Sequence, residues 1–294
     1  MYKRLIALAT AAILTVTVFS GCTSGKKVVI GSKDFTENKI LAEIMAQLIE
    51  SNTDIKVERK INMGGTFVCF EAMKKGQIDI YPEYTGTGLT AQLKLPVETD
   101  PDKVYNTVST EFSKQFQIKW LKPVGFNNTY ALAVPQELAD KNKIESISDL
   151  KNISKDLVFG GEHEFFNRED GYDGLIKIYD LTFKNTAKME VSLKYQAIGQ
   201  GKMDVTDAFT TDGQLKALNL KVLKDDKNFF PPYYAAPIVR EEILESYPQL
   251  EDVLDKLDGK INNETMQGLN YKVDSEKQTI DKVAKDFLND SGIK

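Results

Sequence analysis

Apolar and polar positions along this chain follow two alternating periods. Val28-Val29-Ile30 is a short apolar run that reads as a buried strand. Asp34, with Glu37 three residues on, is spaced as a capping box at a helix start, and Ile40, Leu41, Ile44, Met45, Leu48 and Ile49 follow at helical spacing. Ile55 to Ile61 predicts a second strand, Thr66 to Lys75 a helix, and Ile78-Asp79-Ile80-Tyr81 a third strand. Such a β-α-β-α-β run predicts an open parallel sheet with loops at the strand ends. A second series begins near Tyr130. Ala131 to Val134 is a strand stopped by Pro135, and Leu157 to Phe159 is another, followed by Gly160-Gly161. Gly174 to Tyr179 and Leu193 to Ile198 read as helices, and Asp204 to Phe209 and Leu220 to Leu223 as strands. Two α/β units in tandem account for this pattern. From Arg240 onward the chain is helical and charged, with Ile243, Leu244, Leu250, Val253 and Leu254 as the expected buried face.

The first residues stand apart from that pattern. Met1-Tyr2-Lys3-Arg4 is basic, Leu5 to Phe19 carries no charge, and Phe19-Ser20-Gly21-Cys22 closes the stretch with small residues before a cysteine. The uncharged run is shorter than the ~20 residues a spanning helix needs. It resembles a bacterial lipoprotein signal. The resemblance implies a signal peptide at 1–21, lipidation of Cys22, a tether at 22–26, and a protein anchored by its lipid at the extracellular face of the cell membrane. Phe19 stands where Leu is usual, so less efficient cleavage is expected.

Composition narrows the function. With 294 residues, 41% hydrophobic and 28% charged, the chain can bury a core as one large or two medium domains, and disorder is excluded. The formal charge of -5 and the absence of a basic stripe argue against a nucleic-acid partner. Loss of Lys3 and Arg4 with the leader makes it -7. A single histidine, His163, leaves little scope for His-based catalysis, and two cysteines cannot complete a four-ligand zinc site, so neither metal nor cofactor is expected. With Cys22 lipidated, Cys69 is the remaining thiol, and Phe67, Val68 and Phe70 around it predict burial.

Candidate chemistry gathers at the ends of predicted strands, where open α/β sheets bind ligands. Gly31-Ser32-Lys33-Asp34-Phe35-Thr36-Glu37 offers a helix N-terminus beside a Lys. Tyr81-Pro82-Glu83-Tyr84-Thr85-Gly86-Thr87-Gly88 combines ring faces, hydroxyls and close-approach glycines. Asn127-Asn128-Thr129-Tyr130 lies where the two units join. Phe165-Phe166-Asn167-Arg168-Glu169-Asp170-Gly171-Tyr172 sets an Arg among aromatics, and Asp207 to Gly213 and Phe229 to Tyr234 complete the set. Aromatics recur at loop positions too often for core packing alone.

Taken together, Gly31 to Glu37, Tyr81 to Thr87, Asn167-Arg168-Glu169-Asp170-Gly171 and Thr210-Thr211-Asp212-Gly213 resemble the ProX/OpuC family, the substrate-binding proteins of osmoprotectant importers for glycine betaine, choline and carnitine. The resemblance implies an α/β, type II periplasmic-binding-protein fold with the ligand in the cleft between two hinged lobes. Lobe one would comprise 27–128 plus 234–294 and lobe two 129–233, with hinges near Asn127 to Thr129 and Phe230 to Tyr234. It implies an aromatic box of Tyr84, Tyr130, Phe209 and Tyr233, a carboxylate clamp of Lys33, Thr87 and Arg168, and further contacts from Ser32, Asn128 and His163. Tyr234 is the alternative to Tyr233. The implied partners are an ABC permease, its cytoplasmic ATPase and a small quaternary ammonium ligand, and the binding protein is expected to be a monomer without enzymatic activity. Phe209 replaces the Tyr usual at its place, and Asn128 stands where an archaeal member has an acid, which removes a negative charge near the cation.

The residues themselves support this chemistry. A trimethylammonium group has no N–H to donate, so ring faces are its natural partners, while a carboxylate prefers a bidentate Arg. The acidic surface does not explain specific capture, so selectivity is expected from rings and cationic clamp. A bulkier trimethylammonium betaine such as ergothioneine fits the same role. A hydrolase using Glu83 with Asp170 or Asp212 as a carboxylate pair is the rival from another class. His163, between Glu162 and Glu164, reads as a solvated surface residue or a contact to a larger ligand.

Overall fold

The apolar runs fall into two sheets rather than one. A computed structural model describes residues 27–167 and 171–293. The expected leader and tether, including Cys22, and Arg168, Glu169 and Asp170 lie outside the described residues. The strands are β1 (Lys27–Gly31), β2 (Lys56–Lys60), β3 (Ile80–Tyr84), β4 (Ile118–Trp120), β5 (Tyr130–Pro135), β6 (Val158–Glu162), β7 (Asn185–Met189), β8 (Val205–Phe209), β9 (Leu220–Val222) and β10 (Ala235–Arg240). One sheet has the order β2-β1-β3-β10-β4 and the other β7-β6-β8-β5-β9.

Neither sheet is purely parallel, which corrects the expectation from the β-α-β-α-β run. In the first, β1 runs parallel to β2 and β3, but β10 runs antiparallel to β3 and β4. In the second, β6 is parallel to β7 and β8, and β5 is antiparallel to β8 and β9. The reversed strand is in each case the one that enters directly from the other sheet. Apolar content marks such a strand but not its direction, because β5 and β10 are buried on both faces and show no alternation.

Helices cover both faces. The principal ones are α1 (Thr36–Asn52), α2 (Thr66–Lys74), α3 (Pro101–Phe116), α4 (Tyr172–Tyr179), α5 (Val191–Gly199), α6 (Asn263–Asp274) and α7 (Ile280–Asp290). The six apolar positions predicted for α1 are all buried, at about 1.5–3 kcal/mol each. Because α1 lies between the first sheet and the C-terminal helices, its polar side buries Glu37, Asn38 and Glu43 as well. Helix α3 and strands β4, β7 and β10 are additions to the sequence reading; Asp100 caps α3 by accepting from the Asp102 and Lys103 N–H groups, and Pro101 fits its first turn.

Each lobe hides one lysine against carboxylates at a central strand's end. Lys33 Nζ sits 2.5 Å from Glu83 Oε1, and Glu83 also accepts from Tyr81, Gln92 and the Tyr84 N–H. Lys194 Nζ sits 2.7 Å from Asp207 Oδ2 and 3.4 Å from Glu162 Oε2, with no exposed surface of its own. Gly161 makes room for this pair, since a Cβ there would stand 2.7 Å from Asp207 Oδ1. No helix among the described residues is long and apolar enough to cross a membrane.

Two outcomes follow from this burial. Lys194→Met leaves Asp207 and Glu162 buried without their cation and lowers unfolding free energy by about 3–5 kcal/mol in urea titration, with most of the loss recovered when Asp207→Leu is added. Cys69 is fully buried and its thiol is pushed up to about 11, chiefly by desolvation. The native protein therefore resists thiol alkylation near pH 8 and reacts once denatured, as mass spectrometry would read directly.

Candidate functional site

The two antiparallel strands bring the two sheets' functional ends together. The C-terminal end of β3 pairs with the start of β10, Tyr84 opposite Ala235, and the end of β8 pairs with the start of β5, Phe209 opposite Tyr130. Where the chain crosses between sheets, Asn127 bridges Tyr234, the Asn128 N–H donates to the Tyr233 carbonyl, and Thr129 Oγ1 donates to the Pro231 carbonyl. Beside this crossing a cleft of about 580 Å³ opens between the sheets.

Rings line it from three directions. Tyr84 comes from the end of β3, Phe209 from the end of β8, and Tyr233 from the crossing. Gly86 lets Tyr233 in, because a Cβ there would lie 2.7 Å from the Tyr233 ring. Phe35, just before α1, adds a fourth ring whose centroid is 5.9 Å from that of Tyr84, and it keeps 39% of its surface exposed. Tyr130 stands behind Phe209 at 4.5 Å between centroids, and its hydroxyl donates to Glu162 Oε1 at 3.0 Å. It reaches an adjoining cavity of about 240 Å³ shared with Thr87, Asn128, Phe209 and Tyr233. Tyr234 does not line this cleft but a separate groove, which it shares with Asn127, Thr129 and Tyr130.

The polar residues divide differently from the sequence reading. Thr87 and Asn128 line the cleft. Lys33 also reaches it, but its ammonium is held by Glu83 and lies 5.1 Å from the Tyr84 ring centroid. The Ser32 hydroxyl donates to the Lys33 carbonyl and accepts from the Asn62 N–H, so it braces the loop rather than facing ligand. His163 begins a short helix, is exposed, and has Nε2 3.9 Å from Glu190 Oε1, away from the cleft. Arg168 lies outside the described residues. Of the acids in the rival hydrolase reading, Glu83 has no exposed surface, Asp170 lies outside the described residues, and Asp212 accepts from the Tyr195 hydroxyl and the Phe209 N–H. Burial raises the Asp212 carboxyl above its usual range.

Glu37 is the residue that sequence reasoning misplaced. The helix starts at Thr36 with Phe35 as its cap, and no side chain caps it, so the Asp34/Glu37 capping box does not form. Instead Glu37 turns into the cleft floor. Its Oε1 accepts from Tyr84 Oη at 2.8 Å and Asn128 Nδ2 at 2.8 Å, and its Oε2 from Asn270 Nδ2 at 3.3 Å. Burial is the leading cause that raises its carboxyl above the ordinary range, against the lowering effect of those donors. Asn270, on α6, also donates to the Thr211 carbonyl at 2.9 Å and so ties the first lobe to the second. An acid three residues after Asp34 reads equally as cap or site, and only the tertiary placement of Tyr84 and Asn128 separates the two.

Comparison with known proteins agrees with this geometry. The family described as the substrate-binding domain of ABC-type glycine betaine transport systems, OpuAC, matches residues 26–290. The ergothioneine transport permease/ergothioneine binding protein EgtU of Helicobacter pylori is 43% identical over 269 residues, covering 91% of this chain and 48% of that protein, so the chain spans about half of that relative's length. The carnitine transport binding protein OpuCC of Listeria monocytogenes is 39% identical over 298 residues, covering 98% of this chain and 97% of that one. A crystal structure of a glycine betaine/carnitine/choline ABC transporter is similar with a TM-score of 0.88 at 36% identity, covering 92% of this chain and 99% of that one. With two α/β lobes, a ring-lined cleft between them and a family match over nearly its whole described length, the chain belongs to the OpuAC family of ABC-transporter substrate-binding domains.

Proposed function

We propose that this protein is the extracytoplasmic capture component of an ABC importer and that it holds a quaternary ammonium compound in the cleft. The observation that carries the reading is the convergence of Tyr84, Phe209, Tyr233 and Phe35 on one cleft. Ring faces attract a desolvated cation by about 0.5–2 kcal/mol each, and a trimethylammonium head offers nothing to hydrogen-bond acceptors. Tyr130 completes the box from behind Phe209. For a ligand carboxylate the clamp is Arg168 with Thr87; the charge of Lys33 is already matched by Glu83, which favours a bracing role for it over direct contact. Lobe one is 27–128 plus 234–294 and lobe two 129–233, closing about the paired crossing at Asn127 and Tyr234. Cys22 carries the lipid that keeps the protein at the membrane, beside the permease that receives its cargo and is driven by a cytoplasmic ATPase.

The ligand is glycine betaine, carnitine, choline or a close relative. A second reading, a bulkier betaine such as ergothioneine, is favoured by the cleft's volume of about 580 Å³, which leaves room around a trimethylammonium head, and by the similarity to the ergothioneine binding protein of Helicobacter pylori.

Calorimetry against glycine betaine, carnitine, choline and ergothioneine ranks these ligands, and each is recovered chemically unchanged. Tyr84→Ala weakens the best of them at least about tenfold; retention of full affinity rejects the box as drawn. Arg168→Ala weakens the carboxylate-bearing ligands while sparing choline, and equal losses for both classes reject the clamp.

A further inference from the structure

Among the described residues, the charged side chains lining the cleft are Asp34, Glu37, Asp212 and Asp274 on the acidic side and Lys33 on the basic side. They come from the loop after β1, α1, the turn after β8, and α6, while the start of α2, the end of β3 with the turn after it, and the crossing contribute only uncharged groups. Lys33 is paired with Glu83 behind the cleft. Asp212 is tied to Tyr195, and Asp274 accepts from Thr36 Oγ1 at 2.6 Å at the rim. Asp34 lies just ahead of α1 at the same rim. Glu37 differs from all of them, because it is 3% exposed, lies at the floor, and has only neutral partners: Tyr84, Asn128, Asn270 and the Thr211 side chain.

A buried carboxylate normally comes with a cation, since leaving its charge unmatched is costly. Here four amide or hydroxyl donors hold the carboxylate in place but leave its charge unmatched. The first turn of α1 contributes a partial positive end, worth only a fraction of a charge. The donor orientation is well determined for Asn270, whose Nδ2 serves two pure acceptors, Glu37 and the Thr211 carbonyl. Tyr84 connects this charge to the box. Its hydroxyl donates to Glu37, which enriches the phenol ring in electrons and strengthens the face offered to a cation.

We propose that Glu37 supplies the counter-charge for the ligand's cationic head, directly and through the Tyr84 ring, and is the residue that makes the cleft select a cation over a neutral group of the same shape. This rests on the quaternary ammonium reading of the cleft. Binding a cation beside Glu37 favours its ionised form, so affinity rises as pH increases through the range where the free protein's Glu37 loses its proton, and levels off above it. That range lies above the usual carboxylate value because burial disfavours the charge in the empty cleft.

The test pairs Glu37→Gln with two probes of one shape: glycine betaine, and tert-butylacetate, in which carbon replaces the quaternary nitrogen. Choline and its carbon isostere form a second pair without a carboxylate. In the variant, affinity for glycine betaine and choline falls about ten- to a hundredfold, while the carbon isosteres bind within about twofold of their affinity for the unaltered protein. The pH dependence assigned to Glu37 disappears. Equal losses for cationic and neutral probes make Glu37 a structural brace and overturn the proposal, as does an unchanged pH profile. Failure of the unaltered protein to bind any quaternary ammonium probe overturns the reading of the cleft itself, and the role of Glu37 with it. Normal binding by the unaltered protein and by the variant alike overturns the role of Glu37 alone.

Discussion

A lysine ammonium buried against a carboxylate at the end of a central strand is the constraint on which both walls of the cleft rest. In the first lobe it is Lys33 against Glu83, and the next residue is Tyr84. In the second it is Lys194 against Asp207, two residues before Phe209, with Glu162 linking the same cation to the Tyr130 hydroxyl. Desolvating two charges is expensive, and a well-packed apolar pair often does as well or better for stability alone. What an ion pair adds is direction. Glu83 can accept Lys33, Tyr81, Gln92 and a backbone N–H in one arrangement only, and that arrangement fixes where the Tyr84 ring leaves the strand. A greasy replacement would fill the volume without setting the angle of the ring.

Much of this fold was legible because buried strands and amphipathic helices write themselves as apolar runs and spaced apolar positions. β1, β5, β8 and α1 stand where Val28 to Ile30, Ala131 to Val134, Asp204 to Phe209 and Ile40 to Ile49 predict them. Strand β3 was read two to three residues early, ending at Tyr81, because Pro82 and Glu83 look like a turn. Pro82 is tolerated inside it at a pairing position with Pro237, where both partners lack an N–H. Strand β10 was hidden for a related reason: Pro237 interrupts the apolar run Ala235 to Val239, and its partner β3 lies some 150 residues away in the chain. Sequence periodicity carries no information about that separation or about strand direction.

The site divides along the same line. Rings at strand ends are visible as aromatics among glycines, but it is the family resemblance that picks Tyr84, Phe209 and Tyr233 out of those clusters. Phe35 lies in the Gly31 to Glu37 cluster but is not among the rings the resemblance implies, and only its placement 5.9 Å from the Tyr84 ring brings it to the cleft. Glu37 and Asn270 are 233 residues apart, and nothing local announces that one completes the other's hydrogen bonds. The family resemblance implies Lys33 as a contact to a ligand carboxylate, and the fold adds a partner that no local pattern announces, an acid supplied by a different strand.

Asn128 changes meaning most. Read alone, an amide where a relative carries an acid removes negative charge from the neighbourhood of a cation. In the folded protein its Nδ2 donates to Glu37 Oε1, so the amide positions a carboxylate that arrives from α1. Two acids at those places would repel at hydrogen-bond distance, and one of them would take up a proton. An amide at that place therefore leaves Glu37 a fixed hydrogen-bond donor instead of a second carboxyl with which it would share a proton. The net charge of the surface is too diffuse and too screened to discriminate among small zwitterions. On the proposed reading, a carboxylate buried beneath a ring is neither diffuse nor screened once ionised, and the cleft rather than the overall charge would then discriminate among ligands.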